Sequence, residues 1–150
     1  MRTVTVEILK AEIGRVEQVL EDSGFERFDT STGQWNYPPG GEAVLYAVCK
    51  PYSIDSEGLP GLQALLGGAV PAVEITADVS GRVEGELEVR HLVECLLSVF
   101  EGFALDDFTS HEHAWTLEEI RRGEQFNGLG FFDYRGAYEL SQKAASIRNS

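Results

Sequence analysis

The sequence predicts a single α+β domain in which a mixed, mainly antiparallel sheet of four or five strands packs against three or four helices. Three observations carry this reading. Apolar and polar residues alternate with period two near the start and the middle of the chain, the pattern of strands with one buried face. Other stretches repeat apolar residues at helical spacing. A length of 150 residues with 43% hydrophobic and 10% aromatic content suits one substantial core.

Thr3 to Leu9 alternates and forms the first strand. Ile13, Val16, Val19 and Leu20 then follow helical spacing, and Gly24 stands where a left-handed C-terminal cap is wanted. Residues Thr30 to Gly41 read as a loop, because Pro38 and Pro39 remove ladder donors and the glycines break regular structure. Trp35 and Tyr37 on that loop either fold back over the core or offer rigid contact area to a partner. Ala43 to Cys49 is apolar almost throughout and reads as a central strand covered on both faces, ended by Pro51. Leu59 to Leu66 is a short helix with Pro60 in its first turn, closed by Gly67 and Gly68. Val73, Ile75, Ala77 and Val79 alternate with polar residues in a half-exposed strand.

Residues 82–89 are ambiguous. Glu84, Glu86 and Glu88 alternate with Val83, Gly85, Leu87 and Val89, so Ser80-Gly81 could turn a hairpin with one carboxylate face. Val89, Leu92, Val93, Leu96, Leu97 and Phe100 instead match helical spacing. We take a strand to Val79, an acidic connector, then a helix from about Glu88 to Glu101. Phe103 to Thr109 forms another strand. Thr116-Leu117-Glu118-Glu119 has the form of a capping box opening a short helix to Arg122, whose arginines suit the negative helix end. The aromatic, glycine-rich tail from Phe126 to Tyr138 either packs over the sheet or joins two copies in a homodimer.

The 25 acids against 12 bases give a net charge of −13. Nothing here would neutralise phosphates, so nucleic acid is excluded as a partner, and an anionic membrane surface is disfavoured for the same reason. No run approaches the roughly 20 apolar residues of a membrane span, and the N-terminus lacks the form of a signal peptide, so a cytoplasmic location is expected. Cys49 and Cys95, without C-x-x-C spacing, read as reduced, mostly buried thiols. No dinucleotide fingerprint, kinase set, P-loop or nucleophile elbow occurs, and no cofactor is expected.

Ten acids between Glu84 and Glu119 face one base, Arg90. So much like charge repels itself in the compact state, and a basic protein partner accounts for it better than solubility alone. The candidate partner-binding residues are Glu84, Glu86, Glu88, Asp106, Asp107, Glu112, Trp115, Trp35 and Tyr37. Asp106, Asp107, His111, Glu112 and His113 also fall within eight residues. Histidines two apart on a strand share a face, so His111 and His113 with Asp107 are a candidate zinc set and the centre of an alternative metal-dependent hydrolase. The plainer alternative has Asp106 and Asp107 solvated or capping a turn, with one histidine hydrogen-bonded near the helix start.

The stretch Leu105-Asp106-Asp107-Phe108-Thr109-Ser110-His111-Glu112-His113-Ala114-Trp115-Thr116-Leu117-Glu118-Glu119-Ile120 resembles a motif of small bacterial immunity proteins, the antidotes of secreted polymorphic toxins. The pattern is an acidic pair, a histidine, then Trp115-Thr116 opening a short helix. The resemblance implies a cytoplasmic protein without catalysis of its own that binds a cognate toxin domain and blocks its active site. Many such toxins are basic nucleases. It transfers no residue roles, because toxin-contacting positions vary from pair to pair.

Overall fold

A computed structural model describes residues 2–53, 59–81, 83–109 and 112–148. In chain order the elements are β1 (Arg2–Ile8), α1 (Ile13–Asp22), β2 (Glu26–Asp29), β3 (Gln34–Tyr37), β4 (Leu45–Pro51), α2 (Leu59–Leu65), β5 (Val73–Val79), α3 (Glu86–Leu97), β6 (Gly102–Asp106), α4 (Leu117–Arg122) and α5 (Tyr134–Arg148). The result is an α+β domain, with six strands and five helices among the described residues. The strands form one sheet in the order β2-β3-β4-β5-β1-β6, antiparallel at every pairing.

One face of the sheet is apolar. Val4, Val6 and Ile8 of β1 lie opposite Ala77, Ile75 and Val73 of β5, and Leu45, Ala47 and Cys49 of β4 continue the layer. Helices α1 and α3 pack against each other over this face, and α4 packs on α3. Val16 and Leu20 of α1 and Val89, Leu92, Val93 and Leu96 of α3 are fully buried there. The opposite face carries polar rows, among them Thr5 with Thr76 and Thr3 with Asp78.

Several expectations are corrected: the sheet has six strands rather than four or five and is antiparallel at every pairing rather than mixed, five helices rather than three or four occur among the described residues, and β6 ends at Asp106 rather than Thr109. The stretch Thr30 to Gly41 is not all loop: β3 pairs with β2 and β4, placing Trp35 opposite Ala47 and Tyr37 opposite Leu45 on the apolar face. The prolines follow this strand rather than interrupt it, so they cost it no ladder bond. Strand β4 is not covered on both faces, since Tyr46 is 41% exposed between buried Leu45 and Ala47. The hairpin alternative also fails over residues 83–89, Arg82 lying outside the described residues. Gly85 takes a left-handed conformation before α3 (φ 72°), where a Cβ would overlap the Val79 side chain, and Glu86 and Glu88 occupy the first turn. Acids there complement the positive helix end. Helix α3 thus starts two residues before the expected Glu88 and stops at Leu97.

The capping box of α4 is formed: Thr116 Oγ1 accepts from the Glu119 N–H at 3.1 Å, and Glu119 Oε1 accepts from the Thr116 N–H at 2.9 Å. The aromatic tail divides. Phe131 and Phe132 enter the core, whereas Tyr134 and Tyr138 of α5 are 37% and 58% exposed. Among the described residues no helix is long and apolar enough to cross a membrane.

Candidate partner-binding surface

The acidic segment does not form one unpaired patch. Folding brings arginines from outside it onto several carboxylates: Arg121 onto Glu94, Arg122 onto Glu118 and Arg135 onto Glu84, while Arg90 pairs with Glu86 inside the segment. The Arg2 guanidinium donates to the carbonyls of Ser80, Val83 and Glu84 and lies 5.0 Å from the Tyr134 ring centre, tying the connector to β1. Much of the self-repulsion read from the sequence is therefore answered inside the molecule. Exposed pairs of this kind are worth only about 0–1 kcal/mol each. They leave the net charge of −13 unchanged.

The proposed contact residues scatter. Asp106 is fully buried, at the β6 position opposite Val4 on the apolar face. Its Oδ1 accepts from the Thr109 N–H and hydroxyl at 3.1 and 2.6 Å, and its Oδ2 from the Phe132 N–H at 2.5 Å. Asp107 Oδ2 accepts from the Thr3 N–H at 2.6 Å. Trp35 and Trp115 are each 1% exposed and belong to the core. Arg27 lies over the Trp35 ring at 4.4 Å, and Trp115 bridges to Ala104 beside the edge strand β6. Neither tryptophan offers a surface, and Asp106 has no free oxygen, so these three leave the candidate set. Glu112 remains exposed in the loop before α4.

For the metal alternative, His111 lies outside the described residues. His113 Nε2 lies 3.0 Å from Glu119 Oε2, and its ring stacks on Phe126 at 4.9 Å between centres. Burial pushes the Glu119 carboxyl up, but the Thr116 N–H and His113 together hold it below the usual carboxylate value. His113 thus extends the α4 cap. Among the described residues no three His, Cys, Asp or Glu side chains are placed to hold a metal ion. Cys49 and Cys95 are free thiols, which burial pushes up to about 12 and about 11, so neither is a ready nucleophile.

Glu88 and Tyr37 do come together, around a residue not among the expected contacts, with Glu86 paired to Arg90 nearby, whereas Glu84 lines a separate concavity with Arg2 and Tyr134. Leu87 is 79% exposed, the most exposed of the large apolar side chains on α3. It falls off the buried stripe of Val89, Leu92, Val93 and Leu96, and that mismatch with the helical period is the sequence signal that marks it. Two concavities flank it, each of about 270 Å³. Tyr37, Pro38 and Glu88 complete the first. Val93, Leu117 and Ile120 give the second its apolar part, rimmed by the Arg90–Glu86 and Arg121–Glu94 pairs. Tyr37 is held in place by stacking, with ring centres 4.8 Å from Phe25 and 4.9 Å from His91. His91 is itself fixed by a 2.8 Å contact to the Ser23 carbonyl. An exposed leucine beside a fixed tyrosine, with carboxylates around it, is an apolar anchor inside a charged rim.

No protein-family model matches the chain, and no curated protein matches it in sequence.

Proposed function

We propose that this chain is a non-catalytic binding module, a cytoplasmic immunity protein that captures a basic toxin domain and blocks it, a nuclease being the toxin type best suited to the charge. The observation that carries the reading is Leu87, 79% exposed beside Tyr37 and Glu88. The net charge of −13 raises encounter with a basic partner by roughly ten- to a thousandfold and makes it salt-dependent. Surface ion pairs this weak yield to a partner's cations, so Arg90 and Arg135 do not bar the approach. The apolar contact at Leu87 then slows dissociation.

The test is neutralisation. A basic protein captured by the chain from the source cell's lysate or secreted fraction is expressed in a host alone and together with the chain. Growth arrest relieved by co-expression is expected; arrest that persists at equal partner levels contradicts the reading.

A further inference from the structure

Each side of Leu87 calls for a different chemistry. In the concavity shared with Tyr37 and Pro38, Glu88 has no cation partner among the described residues, whereas Glu84, Glu86 and Glu94 all have arginines. A charge left open beside apolar walls fits an amphipathic cation, whose methylene stem lies on Pro38 and Leu87 while its head reaches the carboxylate. The stacked Tyr37 forms a fixed wall, so little is lost in ordering it. The second concavity offers half-buried Leu117 to an apolar side chain, beside Ile120, which is only 6% exposed.

Resting on the function proposed above, we propose that the surface around Leu87 docks a basic amphipathic segment of the protein partner, with a lysine or arginine entering the Tyr37–Pro38–Glu88 concavity and an apolar side chain lying over Leu117 beside Ile120. Net charge alone would retain any polycation. The groove selects cations that alternate with apolar residues.

Two synthetic peptides of equal charge separate these cases: an amphipathic leucine–lysine helix and an oligolysine. They are titrated against the full chain by NMR at roughly 20 mM salt, where charges interact over distances on the order of 20 Å. The leucine–lysine peptide should bind tighter and shift the backbone signals of Leu87, Glu88, His91 and Leu117. Leu87→Ser, at an exposed position, should weaken that peptide roughly tenfold or more and leave oligolysine unchanged. Glu88→Gln should weaken the leucine–lysine peptide several-fold. If both peptides bind and Leu87→Ser changes neither, the groove is overturned while the acidic-module reading stands. If neither peptide binds, both are overturned.

Discussion

Glu7 and Glu74 face each other directly across β1 and β5, and Lys50 lies on β4 opposite Glu74. Glu7 is 2% exposed, and its Oε2 has no hydrogen-bond partner among the described residues. Burial first, then the neighbouring Glu74, push the Glu7 carboxyl from its ordinary 4.5 up to about 9, against the opposing effect of Lys50. Glu7 therefore keeps its proton at neutral pH. Between pH 4.5 and about 9 the folded chain holds a proton that the unfolded chain releases, so the Glu7 contribution to stability falls as pH rises. Thermal melts should accordingly show a lower Tm at pH 9 than at pH 6, and Glu7→Gln should flatten that slope; an equal slope in the variant would refute a protonated Glu7. Asp106 is also buried, but three donors meet its two oxygens. Asp106→Ala strands those donors and should cost about 3 kcal/mol, readable in chemical denaturation. The sequence places an acidic pair here but not its division of labour. Asp106 and Asp107 are neighbours, and strand alternation turns one into the core and leaves the other half-buried at the β1 start.

Elements whose signals are local were legible, and those whose signals are tertiary were not. Strands β1 and β5 follow from alternation alone, and α4 follows from its capping box. Thr116→Ala should therefore destabilise by about 1 kcal/mol, with a larger loss if His113 is also freed from Glu119; a Tm unchanged by the substitution would show that the box contributes nothing. Strand β3 escaped because its four residues gain their order from Trp35 packing opposite Ala47, a contact between distant segments. The start of α3 escaped because two periods compete over residues 83–89, and Gly85 decides between them by a conformation that side chains avoid. Gly85→Ala combines left-handed strain with a clash on Val79, so it should destabilise by roughly 2 kcal/mol or more. A full-strength circular dichroism signal with unchanged Tm would count against that role. Leu87 became legible as a surface residue only once α3 was known to begin before it.

At the scale of the whole molecule, the sequence's charge imbalance holds but its geography changes. Arginines from α4 and α5 reach back over the acidic segment, so its negative charge is spread among weak ion pairs instead of lying bare on one strand face. Two of the aromatic residues expected to anchor a partner, Trp35 and Trp115, build the core instead, leaving Tyr37 and the unforeseen Leu87 at the surface. Replacing Glu84, Glu86 and Glu88 by Lys should reduce capture of a basic protein while shifting Tm by no more than a few degrees, since exposed pairs contribute about 0–1 kcal/mol each. The measurement that tests the account most directly immobilises the wild-type chain and the Leu87→Ser/Glu88→Gln variant on parallel columns. Source lysate and secreted fraction are passed over both at low salt, then eluted with a salt gradient. The account predicts a basic protein retained by the wild type until high salt and released early from the variant. Identical retention on the two columns would contradict it.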